Sequence, residues 1–385
     1  MTFQEIQQKI LANKGNHENL YYNCLPFENY PRFQNFVPGI VQGRSYMLTG
    51  SSGCAKSKLS RTLFIHQPYQ YIKANPELDI ELSILYFSLE EDKERIYMSE
   101  LSRNLRTKFN VSVGIDDLLS IGKTNTIPRE LFPKIDACQE DLEMFINKVQ
   151  VYDNIGNPTG IYKAIRDEAY KLGRYVSKTG VIFSTADMET IKLGGTDLHT
   201  TIGGFQYLNP RTYIIALVDH IGLTKPELGL NLHQTMSKLS SDYLLDLKNK
   251  LHITPVVVHQ QSQDKESMEY TARGTTIEEK LEPSLDGLGD NKIIQRDFET
   301  ILGVFQPSRY SIKSHLGYDI TKIGDNYRAL SILKNRNGLA NKKLPLLFDG
   351  ASDYFEELPR LTCLEDALPV YKKVEEMKKL NIKNL

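Results

Sequence analysis

Cysteine is scarce and scattered. Cys24, Cys54, Cys138 and Cys363 are the only four in 385 residues, and no two of them form a C-x-x-C pair. Neither a zinc site nor a disulfide framework is readable from that spacing, and a reducing compartment is the default. A surplus of charge of one sign is also missing, since 47 basic residues face 48 acidic ones for a net charge of −1. That excludes a polybasic coat for nucleic acid and leaves room for a local basic channel. Long apolar runs are missing too. The longest, Tyr213 to Val218, is far too short to span a bilayer. The first twenty residues carry Glu5, Lys9, Lys14 and Glu18 without the apolar stretch of a secretory leader. The expectation is a cytoplasmic protein with no membrane association. With 40% hydrophobic and 25% charged residues, the composition excludes a disordered or collagenous chain. The length allows one large α/β domain or two ordinary ones.

What is present is a series of apolar runs separated by helical patterns. Strands are expected at Ser45–Leu48, Ile84–Ser88, Val149–Tyr152, Tyr213–Asp219, Pro255–His259, Thr300–Phe305 and Ala329–Lys334. Helices are expected at 57–67, 92–106, 159–176 and 231–250. Near-continuous apolar strands alternating with helices predict an α/β fold, a mostly parallel twisted sheet with helices on both faces. Residues 2–13 carry Phe3, Ile6, Ile10 and Leu11 at helical spacing, and 14–36 read as an irregular linker. The division is therefore an N-terminal helix and linker over 1–36, a main domain over 37–360, and a tail over 361–385. Within the main domain, 178–210 reads as a hairpin-like insertion and 262–293 as a mobile loop. Val370, Val374 and Met377 predict a docked helix in the tail.

The first expected strand leads into Gly50, Ser51, Ser52, Gly53, Cys54, Ala55, Lys56 and Ser57, followed by a helical pattern. This is the G-x-x-x-x-G-K-[ST] frame with Ala55 in place of the last glycine. Backbone N–H groups in such a loop turn toward phosphates, the lysine neutralises β/γ charge, and the hydroxyl holds Mg²⁺. Ala55 is compatible with the frame if that position takes helical angles, with Gly53 the expected left-handed residue. The cofactors implied are ATP and Mg²⁺.

Three strand ends carry the other candidates. Asp219 closes an apolar strand and suits a second Mg²⁺-side acid, though a helix cap or turn residue would look the same. Glu90 closes another and suits the group that orients water, although acids are common in any first helical turn. Gln261, after Pro255–His259, suits a sensor of the γ-phosphate or is a surface amide.

Taken in this order, from about Val37 to Leu358, the chain resembles the RecA-like P-loop NTPase core of DnaB-type replicative helicases, the hexameric ring family. Phe87 to Glu90 resembles the motif with the catalytic glutamate, and Asp219 to Leu223 the aspartate motif in its phage form. Leu247 to Gln261 resembles the helix, strand and sensor that follow, and Leu288 to Asp297 the motif closing the DNA-binding loop. Leu333 to Gly338 is similar to the segment that carries a trans-acting lysine and an arginine finger, here Lys334 and Arg336. The resemblance implies a homo-oligomeric ring, a hexamer, moving 5′ to 3′ on single-stranded DNA, with a primase or loader as a further partner. It also implies that the N-terminal helix docks on a neighbouring subunit. The resemblance does not extend to the family's globular N-terminal domain, to residues 178–210, or to Lys58, where a hydroxyl is common.

Other functions fit the same core. A RecA-like recombinase or regulatory ATPase shares the strand order, and Phe27, Tyr30 and Phe33 could serve as a polymerisation motif in the N-terminal segment. A non-catalytic, nucleotide-gated scaffold is the alternative from another class.

Overall fold

At the centre of the computed structural model, which describes residues 2–15, 24–121, 127–192, 201–262, 277–291 and 294–379, lies a nine-stranded sheet. In chain order its strands are β1 (Tyr46–Gly50), β2 (Glu81–Ser88), β3 (Val149–Tyr152), β4 (Thr212–Asp219), β5 (Thr254–Gln260), β6 (Thr300–Phe305), β7 (Tyr327–Asn335), β8 (Lys342–Asp349) and β9 (Tyr354–Glu357). Side by side they run β9-β8-β7-β6-β1-β5-β4-β2-β3. The block from β6 to β3 is parallel, and β7, β8 and β9 extend it antiparallel.

The parallel strands bury both faces. Leu48, Tyr86, Leu217 and Val258 enter one apolar layer with Leu59 and Phe64. Their neighbours Met47, Phe87, Val218 and Val257 enter the other with Ile161, Ile165 and Leu247. Alternate residues face opposite layers, and both layers are covered by helices, so these strands read as unbroken apolar runs. The covering helices run over 56–74, 93–109, 158–172 and 232–251.

Four readings need correction. Strands β8 and β9 are absent from the expected set. Lys342, Lys343 and Pro345 in β8 argue against an interior strand, because proline removes a ladder donor. Here Pro345 sits opposite Ala329, and its carbonyl still accepts from the Leu358 N–H at 2.9 Å.

Residues 24–36 are not a linker. Leu25–Pro26 pairs with Gly39–Ile40, and Phe27, Tyr30 and Phe33 lie fully inside the core. The Glu357 carboxylate accepts from the Arg32 and Phe33 N–H groups at 2.9 and 3.0 Å, fixing this segment to β9. Residues 16–23 lie outside the described residues.

The helix expected over 159–176 ends at Leu172. Gly173–Ser177 is instead a strand, antiparallel to Ile202–Tyr207, so the insertion begins earlier than 178. A Cβ at Gly173 would lie 2.4 Å from the Phe205 ring, so the strand that follows the helix begins where a side chain does not fit. The insertion also holds a helix, Thr185–Lys192, while 193–200 lie outside the described residues.

The reading of 262–293 as one loop is incomplete. Residues 263–276 and 292–293 lie outside the described residues, but the rest includes helical turns at Ile277–Leu281 and Asp286–Asn291. Beyond it, Asp297 accepts from Ser240 and Ser241 at 2.6 and 2.7 Å.

The tail forms the helix Leu368–Lys379, with Val370, Val374 and Met377 buried. At the other terminus, Phe3, Ile10 and Leu11 of the helix Phe3–Gly15 stand 60% or more exposed. Among the described residues, no helix is long and apolar enough to cross a membrane.

Candidate active site

β1 runs straight into the phosphate loop. A side chain at Gly50 would place its Cβ 2.4 Å from the Val304 carbonyl oxygen, so only glycine lets β1 and β6 close up here. Gly53 takes φ 72°, the expected left-handed turn. Ala55 does not take helical angles. Its φ is 73° and its ψ 33°, so the expectation for this residue is overturned. A Cβ in that region costs about 1 kcal/mol or more. Two arginines hold the residues before it: Arg328 Nε donates to the Cys54 carbonyl at 2.9 Å, and Arg309 Nη1 donates to the Ser52 carbonyl.

Ala55→Gly is therefore expected to raise the thermal midpoint by about 1–2 °C, because strain is lost and only a half-buried methyl goes with it. Calorimetry on the purified variant checks this; a lowered midpoint would show that the loop is relaxed around alanine.

Beyond the loop, Lys56 is buried and its ammonium donates to the Ser51 carbonyl at 2.7 Å. The Ser57 hydroxyl donates to Asp219 Oδ1 at 2.9 Å, and the Tyr86 hydroxyl to Oδ2 at 3.0 Å. Asp219 is in register with Ser88, so β4 and β2 end side by side above the loop. Burial pushes the Asp219 carboxyl up from its ordinary range, against the opposing pull of Arg61 and the two hydroxyl donors.

One hydroxyl and one carboxylate at this separation fit Mg²⁺, which takes one or two protein oxygens and completes its shell with phosphate and water. Consistently, no cluster of three or more acidic, histidine or cysteine ligands exists among the described residues.

The two adjacent acids after β2 both border one cleft and differ in their partners. Glu90 is exposed and lines a cleft of about 310 Å³ together with Lys56, Ser57 and Asp219. Glu91 is tied to the buried Arg61 at 2.5 Å. Arg61 also pairs with Asp353 at 2.7 Å, and Asp353 takes Lys58 at 2.5 Å. Lys58, the position where a hydroxyl is common, thus closes an ion cluster behind the loop.

Gln261 is not in the cleft. Its side-chain amide donates to Thr49 and to the Ser284 carbonyl, each at 3.0 Å, on the far side of the strand end. Gln260 lines the cleft instead. Neighbouring strand residues face opposite sides, so the sequence expectation is one residue out of register.

His220, which the sequence reading gives no role, also lines the cleft. The Asp219–His220 peptide is cis. The His220 Nδ1 is buried without a hydrogen-bond partner among the described residues, and burial lowers the ring's pKa despite the nearby Glu90. The His259 ring is lowered further, to about 4, chiefly by burial. The one available signal for His220 is its place directly after a strand-end acid.

Lys334 and Arg336 lie elsewhere. Lys334 pairs with Ile301 and Asn335 with Thr300, and these pair in turn with Met47 and Tyr46 at the start of β1. The phosphate loop leaves the other end of β1, ~10 Å or more further along the strand direction and two strands across. Lys334 Nζ donates to the Gln295 carbonyl at 2.6 Å, and Arg336 Nη2 to the Arg296 carbonyl at 3.3 Å. Neither reaches its own chain's cleft.

No family model and no curated protein matches the sequence. Among solved structures the chain is similar to one described as an ATPase domain. The TM-score is 0.56 at 14% identity, over 92% of this chain and 99% of that one. It is also similar to a DnaB-like replicative helicase described with its interactions with primase. There the TM-score is 0.57 at 13% identity, over 90% of this chain and 67% of that one. At these identities the likeness establishes the fold alone, a RecA-like α/β arrangement with a mostly parallel sheet between helices.

Proposed function

We propose that the chain is the ATP-driven motor of a replicative DNA helicase, assembled as a ring, a hexamer, with each nucleotide held between two copies. The observation that carries this reading is the split of the charged residues between two ends of one sheet. Lys56, Ser57, Asp219 and Glu90 surround the cleft, while Lys334 and Arg336 stand at the opposite end.

In this reading Lys56 moves from the Ser51 carbonyl to the β/γ-phosphates. Ser57 and Asp219 would hold Mg²⁺, which would supply positive charge beside the phosphates. Glu90, exposed on the cleft, orients the attacking water, and Gln260 senses the γ-phosphoryl at its side. Arg336 and Lys334 of a neighbouring copy complete the charge. The N-terminal helix, with its apolar stripe exposed, docks on that neighbour. Hydrolysis then shifts the boundary between copies and moves loops along single-stranded DNA, in the cytoplasm, with a primase or loader as a further partner. The recombinase reading loses its support, because Phe27, Tyr30 and Phe33 are committed to the chain's own core.

Steady-state ATP turnover measured against increasing single-stranded DNA tests the reading. Turnover should rise several-fold, and forked duplexes with a 5′ tail should be unwound. Turnover indifferent to DNA would overturn the helicase motor and leave only a P-loop ATPase.

A further inference from the structure

The helix Lys93–Phe109 carries Arg103 and Arg106 one turn apart, and both are more than nine-tenths buried. A guanidinium stays charged in any protein, so burying it without an anion is costly. Arg106 has Asp349 at 3.4 Å and the Tyr354 ring at 5.6 Å. Arg103 has no carboxylate within ion-pair distance among the described residues. Its Nη1 donates to the Asp353 carbonyl at 2.9 Å and to the Thr62 hydroxyl at 3.3 Å, and its other nitrogens have no protein acceptor among them.

The nearby acids are already engaged. The Asp353 carboxylate takes Arg61, Lys58 and Ser99. Glu100 faces His66 at 3.2 Å, and burial lifts its carboxyl to about 7, which weakens it as a counter-charge.

Both arginines line a cavity of about 440 Å³, between this helix, the helix Gln67–Ala74 and β9. The amides of Asn29, Gln70 and Asn110 add donors and acceptors, and Lys373 stands at the rim. Among the described lining residues Glu356 is the one carboxylate, and it is already tied to Lys373. Arg106 is offset by Asp349 and Lys373 by Glu356, so Arg103 is the cation of this lining left without a carboxylate among the described residues, and the cavity's size lies in the range of small-ligand pockets. We propose that this cavity is a second ligand site, separate from the cleft at Lys56, and that it takes a phosphorylated small molecule with its phosphate against Arg103 and Arg106. The planar fork of arginine matches phosphate oxygens in pairs, and the flanking amides suit a sugar or base.

The test uses the full chain with the first site disabled. Inorganic diphosphate and ADP are titrated calorimetrically into Lys56→Ala, into Lys56→Ala/Arg103→Met, and into Lys56→Ala/Lys373→Glu. Lys56→Ala should retain one site per chain. Arg103→Met should weaken it at least ~10-fold, the loss of one charge-assisted contact. Tighter binding of ADP than of diphosphate assigns a nucleotide; equal or weaker binding assigns the phosphate group alone. Arg103→Met should also melt no lower than its parent, since it replaces an unpaired buried cation by an apolar chain of similar length. If it does not fold, Lys373→Glu still decides, because that side chain is 42% exposed and its reversal touches no buried group. No residual site in Lys56→Ala, or a site indifferent to both second substitutions, would overturn the proposal. Neither result bears on the helicase reading, which rests on the other cleft.

Discussion

Glu90→Gln should bind ATP about as well as the unaltered chain and hydrolyse it ~10²–10⁴-fold more slowly, the range lost when a positioned base is removed. The substitution keeps shape and hydrogen bonding and removes only the negative charge that orients water. Nucleotide binding survives, because Lys56, Ser57 and Asp219 are untouched and Glu90 forms no part of the Ser57–Asp219–Tyr86 chain. The control is Glu91→Gln. That carboxylate holds the buried Arg61, so its loss should lower the melting temperature and leave most of the turnover. Binding by fluorescent nucleotide and turnover by phosphate release separate the two effects. If Glu91→Gln abolishes turnover and Glu90→Gln preserves it, the assignment of the water-orienting acid is wrong.

Arg336→Ala should bind ATP and lose ~10³-fold or more in turnover, the usual contribution of an arginine finger. Lys56→Ala should be inactive for the opposite reason, a damaged phosphate loop. Mixing the two inactive proteins should restore measurable activity. A chain with intact Lys56 can then sit beside one with intact Arg336, and together they form a whole site. Within one chain the two residues lie at opposite ends of the sheet, so no arrangement inside a single copy brings them together. Mixed assemblies confirmed by mass, yet without restored turnover, would refute the shared site.

The phosphate loop was legible because its eight residues are contiguous and the two glycines, Lys56 and Ser57 each have a chemical reason to be there. Asp219 and Glu90 stood out because each follows an apolar run, although a helix cap or a first-turn acid leaves the same mark. The glutamine register was not. In β5 both faces are buried, so Val256, Val257 and Val258 carry no in-and-out alternation from which to decide which of Gln260 and Gln261 faces the cleft. Residues 24–36 misled for another reason: Asn, Tyr and Pro suggest a loop, and it takes packing against Phe64 and hydrogen bonds to β9, more than three hundred residues later, to turn them into core. Such long-range pairing leaves no local mark. Ala55 is the converse case, since its left-handed backbone contradicts the preference of the residue itself.

In the proposed assembly, the separation of Lys56 from Arg336 gives each copy a donating end and a receiving end. Contacts built from two different patches are heterologous, and they propagate in one direction until they close on themselves. With Arg336 acting across that boundary, an open row always leaves one loop without a donor and one finger without a target. A pair therefore wastes one of its two loops, and a longer row wastes the same single loop among more. Only closure removes the waste. The circle would then be favoured by catalytic completeness alone, before any strand of DNA is threaded through it.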